Sequence, residues 1–242
     1  MISAGSTVSF RISLAVMAKA PVAGRVKTRL TPPLSADQAA RFQQACLLDA
    51  LQRHPRDVAQ RTLWLDGDDA AITGRAAAQG WTVARQGAGD LGERMRRACE
   101  AGLRGADAVL VLGTDSPSAP AVAIDALTAA IPAHDVVLAP AEDGGYWAVA
   151  VRPWALRVFD GIPWGSRDVL AASLDRAARE GLRVAVGPVW YDVDTIADLE
   201  RLALESPASY MPSGADGVGH AARIARELLA EAGRAGVGHS GS

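Results

Sequence analysis

Short apolar runs separated by alanine-rich stretches of helical spacing recur from residue 11 to residue 204, and this alternation constrains the fold more than any other feature of the chain. A strand buried on both faces reads as an unbroken apolar run, and a helix between two such strands carries the chain back so that they pair in parallel. Arg11 to Met17, Thr62 to Leu65, Thr82 to Ala84, Ala108 to Leu112, Val136 to Pro140 and Arg183 to Val186 are the expected strands. Helices are expected from Ser35 toward Arg53, from about Asp69 to Gln79, and over Leu91 to Leu103, Ala119 to Ala130, Ser166 to Glu180 and Ile196 to Leu204. Ser35-Ala-Asp-Gln38 has the form of a capping box, and Gly80 and Gly181 are placed to stop helices. Asp143-Gly-Gly145 is a turn signal ahead of the alternating Tyr146-Trp-Ala-Val-Ala-Val151, so one antiparallel hairpin should join the sheet. The expected fold is a three-layer α/β/α sandwich around a mixed, mostly parallel sheet.

At 242 residues and 49% hydrophobic, the chain can build one large core. From Ser206 to Gly219 the composition turns to Ser, Pro and Gly, and Val218 to Ala232 then offers one amphipathic helix before a glycine-rich end. Residues 1–205 are therefore expected to form the main domain and residues 206–242 a linker, a helix and a flexible end, with the helix packed on the surface or at a homodimer contact. A formal charge of −2 without a long basic stripe argues against nucleic acid or an anionic membrane as partner. The apolar run near the N-terminus is too short for a membrane span and is needed as a strand, so the expectation is a soluble, cytoplasmic protein. Cys46 and Cys99 fall in separate helices and are expected as buried thiols, and His54, His134, His220 and His239 share no metal-ligand spacing.

Chemistry concentrates where strands should end. Lys19-Ala-Pro-Val-Ala-Gly-Arg-Val-Lys-Thr-Arg-Leu30 follows the first strand and gathers Lys19, Arg25, Lys27 and Arg29 around Gly24. In an open parallel sheet, ligands collect at the carboxyl ends of the strands, so these cations would meet a phosphate. Cations on the first turn of a helix would oppose its dipole unless an anion were present, which also favours a ligand over a plain charged helix start. The segment lacks the spacing of a P-loop. Gly113-Thr-Asp-Ser-Pro117 sets Asp115 at the end of the run Ala108 to Leu112, where it would bind metal or cap the next helix. Asp192-Val-Asp-Thr195, after a strand-like Pro188 to Tyr191, offers a second carboxylate, and Asp115 with Asp194 would suffice for Mg²⁺. Capping of the helix at Ile196 is the competing role for that pair.

Glu142-Asp-Gly-Gly-Tyr-Trp147 is a good hairpin turn, and it also places Glu142 and Asp143 beside Tyr146 and Trp147, with Gly144 and Gly145 between. Carboxylates next to aromatic faces suit a hydroxylated acceptor. Trp164, in a Pro/Gly loop before a helix, fits a lid or simple surface packing. Gln86-Gly-Ala-Gly-Asp-Leu-Gly-Glu-Arg-Met95 is a glycine-rich link whose backbone would allow a base or ribose to approach.

Taken in order, KAPVAGRVKTRL, QGAGDLGERM, LGTDSPSAP, PAEDGGYWAVAV, IPWGS and DVDTIADL resemble the DUF2064, arsenosugar-biosynthesis-type glycosyltransferase family, over residues 10 to 204. That resemblance implies a GT-A, nucleotide-diphospho-sugar transferase fold, a divalent metal (Mg²⁺ or Mn²⁺), and a nucleotide sugar or nucleoside triphosphate as ligand. It places Lys19, Lys27 and Arg29 at the phosphates, where Gly24 and Arg25 of the same cationic segment are expected too, and Gln86, Leu91, Gly92 and Arg94 near the nucleoside. Asp115 and Asp194 would hold the metal, Asp143 would act on the acceptor, and Glu142, Gly144, Gly145, Tyr146, Trp147 and Trp164 would line the acceptor or sugar site. The expected activity is glycosyl transfer to a small-molecule hydroxyl. The single carboxylate of Gly113-Thr-Asp115 is equally similar to the pattern of nucleotidyltransferases on the same fold, so nucleotidyl transfer with release of pyrophosphate stands as the alternative.

Overall fold

The computed structural model describes residues 10–52, 58–206 and 219–237. Its strands are β1 (Ile12–Lys19), β2 (Gln60–Asp66), β3 (Thr82–Arg85), β4 (Ala108–Leu112), β5 (Val136–Pro140), β6 (Tyr146–Val151) and β7 (Val184–Val186). They form one 7-stranded sheet in the order β3-β2-β1-β4-β6-β5-β7. All neighbours are parallel except those of β6, which runs antiparallel to both β4 and β5. The helices are α1 (Ala36–Gln52), α2 (Ala70–Ala78), α3 (Leu91–Leu103), α4 (Ala121–Ala130), α5 (Val169–Arg179), α6 (Ile196–Leu204) and α7 (His220–Val237).

Period-2 alternation divides each central strand between two cores. Leu14, Val16 and Ala18 of β1 pack with Leu47 and Leu51 of α1, Ile72 of α2 and Leu127 of α4. Ala15 and Met17 turn the other way, toward Met95 and Cys99 of α3 and Ala177 of α5. This is the expected three-layer sandwich, and both thiols, Cys46 and Cys99, are buried and outside any disulfide. The Ser35 capping box forms: the Ser35 hydroxyl accepts the Gln38 N–H at 3.2 Å and Gln38 Oε1 accepts the Ser35 N–H at 2.8 Å.

Several elements depart from expectation. Helix α1 starts at Ala36, behind its Ser35 cap as expected, but the cationic segment ahead of it holds an unexpected 3-10 turn, Thr28–Leu30. Pro32 and Pro33 lack amide donors and disfavour helical backbone in the residue before each, which separates that turn from α1. Pro188 to Tyr191 gives one bridge, Ala141 to Trp190, rather than a strand. A 3-10 helix over Pro153–Phe159 is not legible from apolar spacing, and α5 begins at Val169 rather than Ser166.

A third core joins Phe42 and Cys46 of α1 and Leu199 and Leu202 of α6 to Ala221, Ala225 and Leu228 of α7. The buried Asp49 carboxylate of α1 accepts the N–H groups of His220 and Ala221, each at 2.8 Å, satisfying two donors that a helix start leaves open. Helix α7 is thus packed on α1 and α6. The linker at 207–218, the end at 238–242, the expected helix end at Arg53, and His54 and His239 lie outside the described residues. No helix among the described residues is long and apolar enough to cross a membrane.

Asp135, at the start of β5, ties this edge of the sheet together. Its carboxylate accepts from Trp154 Nε1 at 3.0 Å and from Arg183 N, Nε and Nη2 at 2.9, 3.1 and 3.0 Å. The Arg183 side chain is the main cause that holds the Asp135 carboxyl well below the ordinary carboxylate range, against the opposing effect of burial. A depressed folded value means stability that is complete above the unfolded value of about 3.9 and lost as pH falls toward the folded one. Asp135→Asn should therefore melt below wild type at neutral pH, with the gap narrowing below about pH 4. Thermal melts across that range check it, and a gap that stays constant would contradict the linkage.

Candidate functional site

From β1 the chain winds outward to β2 and β3, and from β4 it builds the opposite half of the sheet. Adjacent β1 and β4 therefore make the switch point at which an open sheet leaves a crevice beyond its carboxyl ends. A cleft of about 910 Å³ occupies that place, with Lys19 from the end of β1 and Gly113 to Ser116 from beyond β4 in its walls.

Lys27 lies at the centre. Its backbone is left-handed (φ 47°, ψ 39°), the one non-glycine residue with positive φ among the described residues. That conformation is costly for a residue with a Cβ and collects at functional sites. The Lys27 side chain is 4% exposed, and its ammonium pairs with Asp115 and lies 3.1 Å from Asp194 Oδ1. Arg29 Nη1 stands 3.6 Å from Asp194 Oδ2. Neither aspartate is used as a helix cap: Thr195 caps α6, and α4 follows Pro120 with no side-chain cap.

Asp194 reaches Asp115 because two loops are stitched together. The Val193 N–H donates to the Asp115 carbonyl at 2.8 Å, and Trp190 Nε1 donates to Ser118 Oγ, which in turn donates to the Tyr191 hydroxyl, both at 3.1 Å. Ser116 Oγ donates to the Asp192 carboxylate. Desolvation by the cleft walls would raise the half-exposed Asp115 carboxyl, but the Lys27 ammonium, with help from Lys19, holds it below its ordinary value. Burial likewise would lower the Lys27 ammonium, yet Asp115, Cys46 and Asp194 keep it raised. Asp192 is pushed up to about 7, first by burial and then by the charges of Asp115 and Asp143.

Of the residues singled out in the sequence, Lys19, Lys27, Arg29, Asp115 and Asp194 meet at one end of the cleft, and Gln86, Leu91 and Arg94 line another part of it. Gln86 Nε2 donates to the carbonyls of Ala18 and Trp64, each at 3.0 Å, and Arg94 pairs with Asp66 at 2.8 Å while its Nε donates to the Gly89 carbonyl at 3.0 Å. These bonds hold the glycine-rich link against the ends of β1 and β2. Asp143, Gly145, Tyr146, Trp147 and Trp164 also line the cleft. Trp164 meets Tyr146 edge to face at 6.1 Å and leans on Gly92, where a Cβ would come within 2.4 Å of the indole nitrogen. It is a packed wall in this structure. The Trp147 indole N–H donates to the Pro188 carbonyl at 3.0 Å.

Gly24, Arg25, Gly92, Glu142 and Gly144 do not line the cleft. Glu142 pairs with Arg201 at 3.0 Å, and that guanidinium sits 3.6 Å above the Tyr191 ring. Gly144 instead lets the turn press against the Arg167 backbone. Among the polar lining residues without an assigned role in the sequence reading are Gln43, which donates to Thr114 Oγ1 at 3.3 Å, Thr114 itself, and Arg167. A glutamine on the apolar face of α1 was the available signal for the first, and nothing in the sequence sets Arg167 apart from the other arginines.

Residues 47–166 match the family described as uncharacterized protein conserved in bacteria (DUF2064). A phosphoenolpyruvate guanylyltransferase of Sphaerobacter thermophilus is 35% identical over 143 residues, which cover 57% of this chain and 68% of that protein. A protein of Desulfovibrio desulfuricans G20 with the provisional designation nucleotide-diphospho-sugar transferase is 29% identical and superposes with a TM-score of 0.79, over 93% of this chain and 98% of that one. A 4-diphosphocytidyl-2C-methyl-D-erythritol synthase of Anaerococcus prevotii shares the fold at 12% identity, with a TM-score of 0.52 over 78% of this chain and 92% of its own.

Proposed function

Since the chain belongs to the DUF2064 family of GT-A-like nucleotide-diphospho-sugar transferases, we propose that it is a metal-assisted nucleotidyltransferase that joins a nucleoside triphosphate to an anionic small molecule and releases pyrophosphate. The observation that carries this reading is the buried Lys27 between Asp115 and Asp194 at the β1/β4 switch point. Phosphoryl chemistry asks a protein chiefly for positioning and charge, and Lys19, Lys27 and Arg29 would supply cations to the phosphates.

The donor set fits a divalent ion. Carboxylate oxygens from two loops converge on one cationic point, and hard oxygens suit Mg²⁺ or Mn²⁺. Among the described residues no three His, Cys, Asp or Glu side chains form a complete cage, so an ion at Asp115 and Asp194 would draw its other oxygens from phosphates and water. Such an ion would neutralise charge on the phosphates as the bond to pyrophosphate breaks.

An anionic acceptor is favoured because Arg167, beyond the cations given to the nucleotide phosphates, lines the cleft and forms no ion pair among the described residues. An acceptor oxygen that is already ionised needs no base to attack phosphorus. The Sphaerobacter relative, named for phosphoenolpyruvate, supports the same class.

Glycosyl transfer is the second reading, and Asp143 favours it. Asp143 Oδ1 accepts the Gly145 N–H at 2.9 Å within the cleft wall, which fixes the carboxylate where it would orient or deprotonate an acceptor hydroxyl beside Tyr146. The Desulfovibrio protein's designation points the same way. Incubation of the protein with Mg²⁺, α-labelled nucleoside triphosphates and a panel of phosphorylated and carboxylated acids should give pyrophosphate and a labelled conjugate. Release of a nucleoside diphosphate from a nucleotide sugar instead would establish the second reading. Neither product from any pairing would overturn both.

A further inference from the structure

The lysine between the two aspartates also bears on how a metal would enter. Lys27 is not a surface side chain that happens to fold inward. It is flanked by Val26 and Leu30, at 4% and 0% exposure, and the Leu30 N–H closes onto the Lys27 carbonyl at 3.0 Å. With that anchoring and its left-handed backbone, the side chain is directed beneath Asp115 and Asp194. The side-chain exposures follow the same order: 4% for Lys27, against 52% for Asp115 and 37% for Asp194. The carboxylates open to the cleft and the ammonium forms their floor.

A divalent cation drawn to those carboxylates would meet, a few ångströms away, a like charge that is itself 4% exposed and so less screened than a surface ammonium. Nucleotide phosphates change that balance, because they offer the ammonium new anionic partners and bring further oxygens to the metal.

We propose that Lys27 is a tethered counter-cation that keeps Asp115 and Asp194 closed to free Mg²⁺ or Mn²⁺, so that the metal enters together with the nucleotide whose phosphates take over the ammonium. The second half rests on the transferase reading given above, and the first half concerns the protein alone. The consequence is an order of binding: metal and nucleotide occupy the cleft together, and the free ion does not wait there.

The test is an EPR titration of Mn²⁺ without nucleotide into wild type, Lys27→Met, Lys27→Gln and the double variant Lys27→Met/Asp115→Asn. Either single variant should bind Mn²⁺ at least about tenfold more tightly than wild type, the scale of an ordinary coupling between two sites. The double variant should lose that gain, which places the ion at the carboxylates. Wild type binding free Mn²⁺ as tightly as folded single variants would overturn the proposal.

Amine labelling read by mass spectrometry decides the matter even if both single variants fail to fold. Lys19 and Lys27 are the only lysines in the chain, and exposed Lys19 serves as the internal reference. Lys27 of wild type should stay protected as Mn²⁺ alone is raised, and labelling that climbs with Mn²⁺ alone would count against the counter-cation. If GTP, CTP, UTP and ATP all fail to bind, the nucleotidyltransferase reading fails while the Mn²⁺-only comparison still decides the role of Lys27.

Discussion

Asp115→Asn should lower turnover by about a thousandfold, the scale seen when an electrostatic stabiliser is removed from a preorganised site. The amide keeps the shape of the carboxylate and an oxygen that accepts from Lys27, so the loop after β4 should hold, tied as it is by the Val193 N–H to the residue 115 carbonyl at 2.8 Å. Charge is what goes. Lys27 would keep Asp194 as its only direct carboxylate partner, and a divalent ion would lose one of two protein ligands. Steady-state rates at saturating metal, beside a circular dichroism spectrum matching wild type, measure the effect. A rate within about tenfold of wild type would show that Asp115 neither holds metal nor serves the phosphates.

Gly144→Ala should be the most damaging small substitution in the turn behind the cleft wall. Gly144 has φ 95°, a conformation that residues with a Cβ rarely adopt, and a Cβ there would lie 2.2 Å from the Arg167 carbonyl oxygen. Backbone cannot swing aside as a flexible side chain does, so the turn or the loop before α5 must move. The Leu170 N–H, which donates to the Gly144 carbonyl at 3.0 Å, would be pulled from its partner. Strain and the strained contact together should cost roughly 3 kcal/mol, a fall of about 6–12 °C in melting temperature for a chain of this size. Turnover should also drop at temperatures where the variant is folded, since Asp143, Tyr146 and Arg167 share that wall. A melting temperature within about 2 °C of wild type would mean that the turn has room to relax.

How far the sequence foretold this molecule varied with the kind of signal. Helix α3, strands β4, β5 and β6, and helix α6 begin and end where apolar spacing, caps and turn residues put them, because each is bounded by local chemistry such as Asp90 with Glu93 or Thr195 with Asp198. The Lys19 to Leu30 segment was legible as a cluster of cations but not as a shape. Nothing local announces that Lys27 takes a left-handed backbone and turns inward while Arg25 stays out of the cleft. The partnership of Asp115 with Asp194 was legible as two acidic loops, whereas its cause, the stitching of residues 190–194 to Ser116 and Ser118, depends on contacts between distant parts of the chain. Glu142 and Asp143 look alike in sequence, yet Arg201 of α6 claims the first and the cleft keeps the second. The placement of α7 depended on Asp49, a buried acid on α1 whose role emerges only when His220 and Ala221 arrive above it.

The central claim is that the crevice at the ends of β1 and β4 binds a nucleotide together with a divalent metal. Thermal melts of wild type and Asp115→Asn against nucleoside triphosphates, diphosphates and nucleotide sugars, each with and without Mg²⁺ or Mn²⁺, test it most directly. A ligand at 100 times its dissociation constant stabilises by about 2.7 kcal/mol, several degrees for a chain of this size. The expected result is a metal-dependent rise with one nucleotide in wild type and a much smaller one in Asp115→Asn. No rise with any nucleotide, or an equal rise in both proteins, would contradict the account.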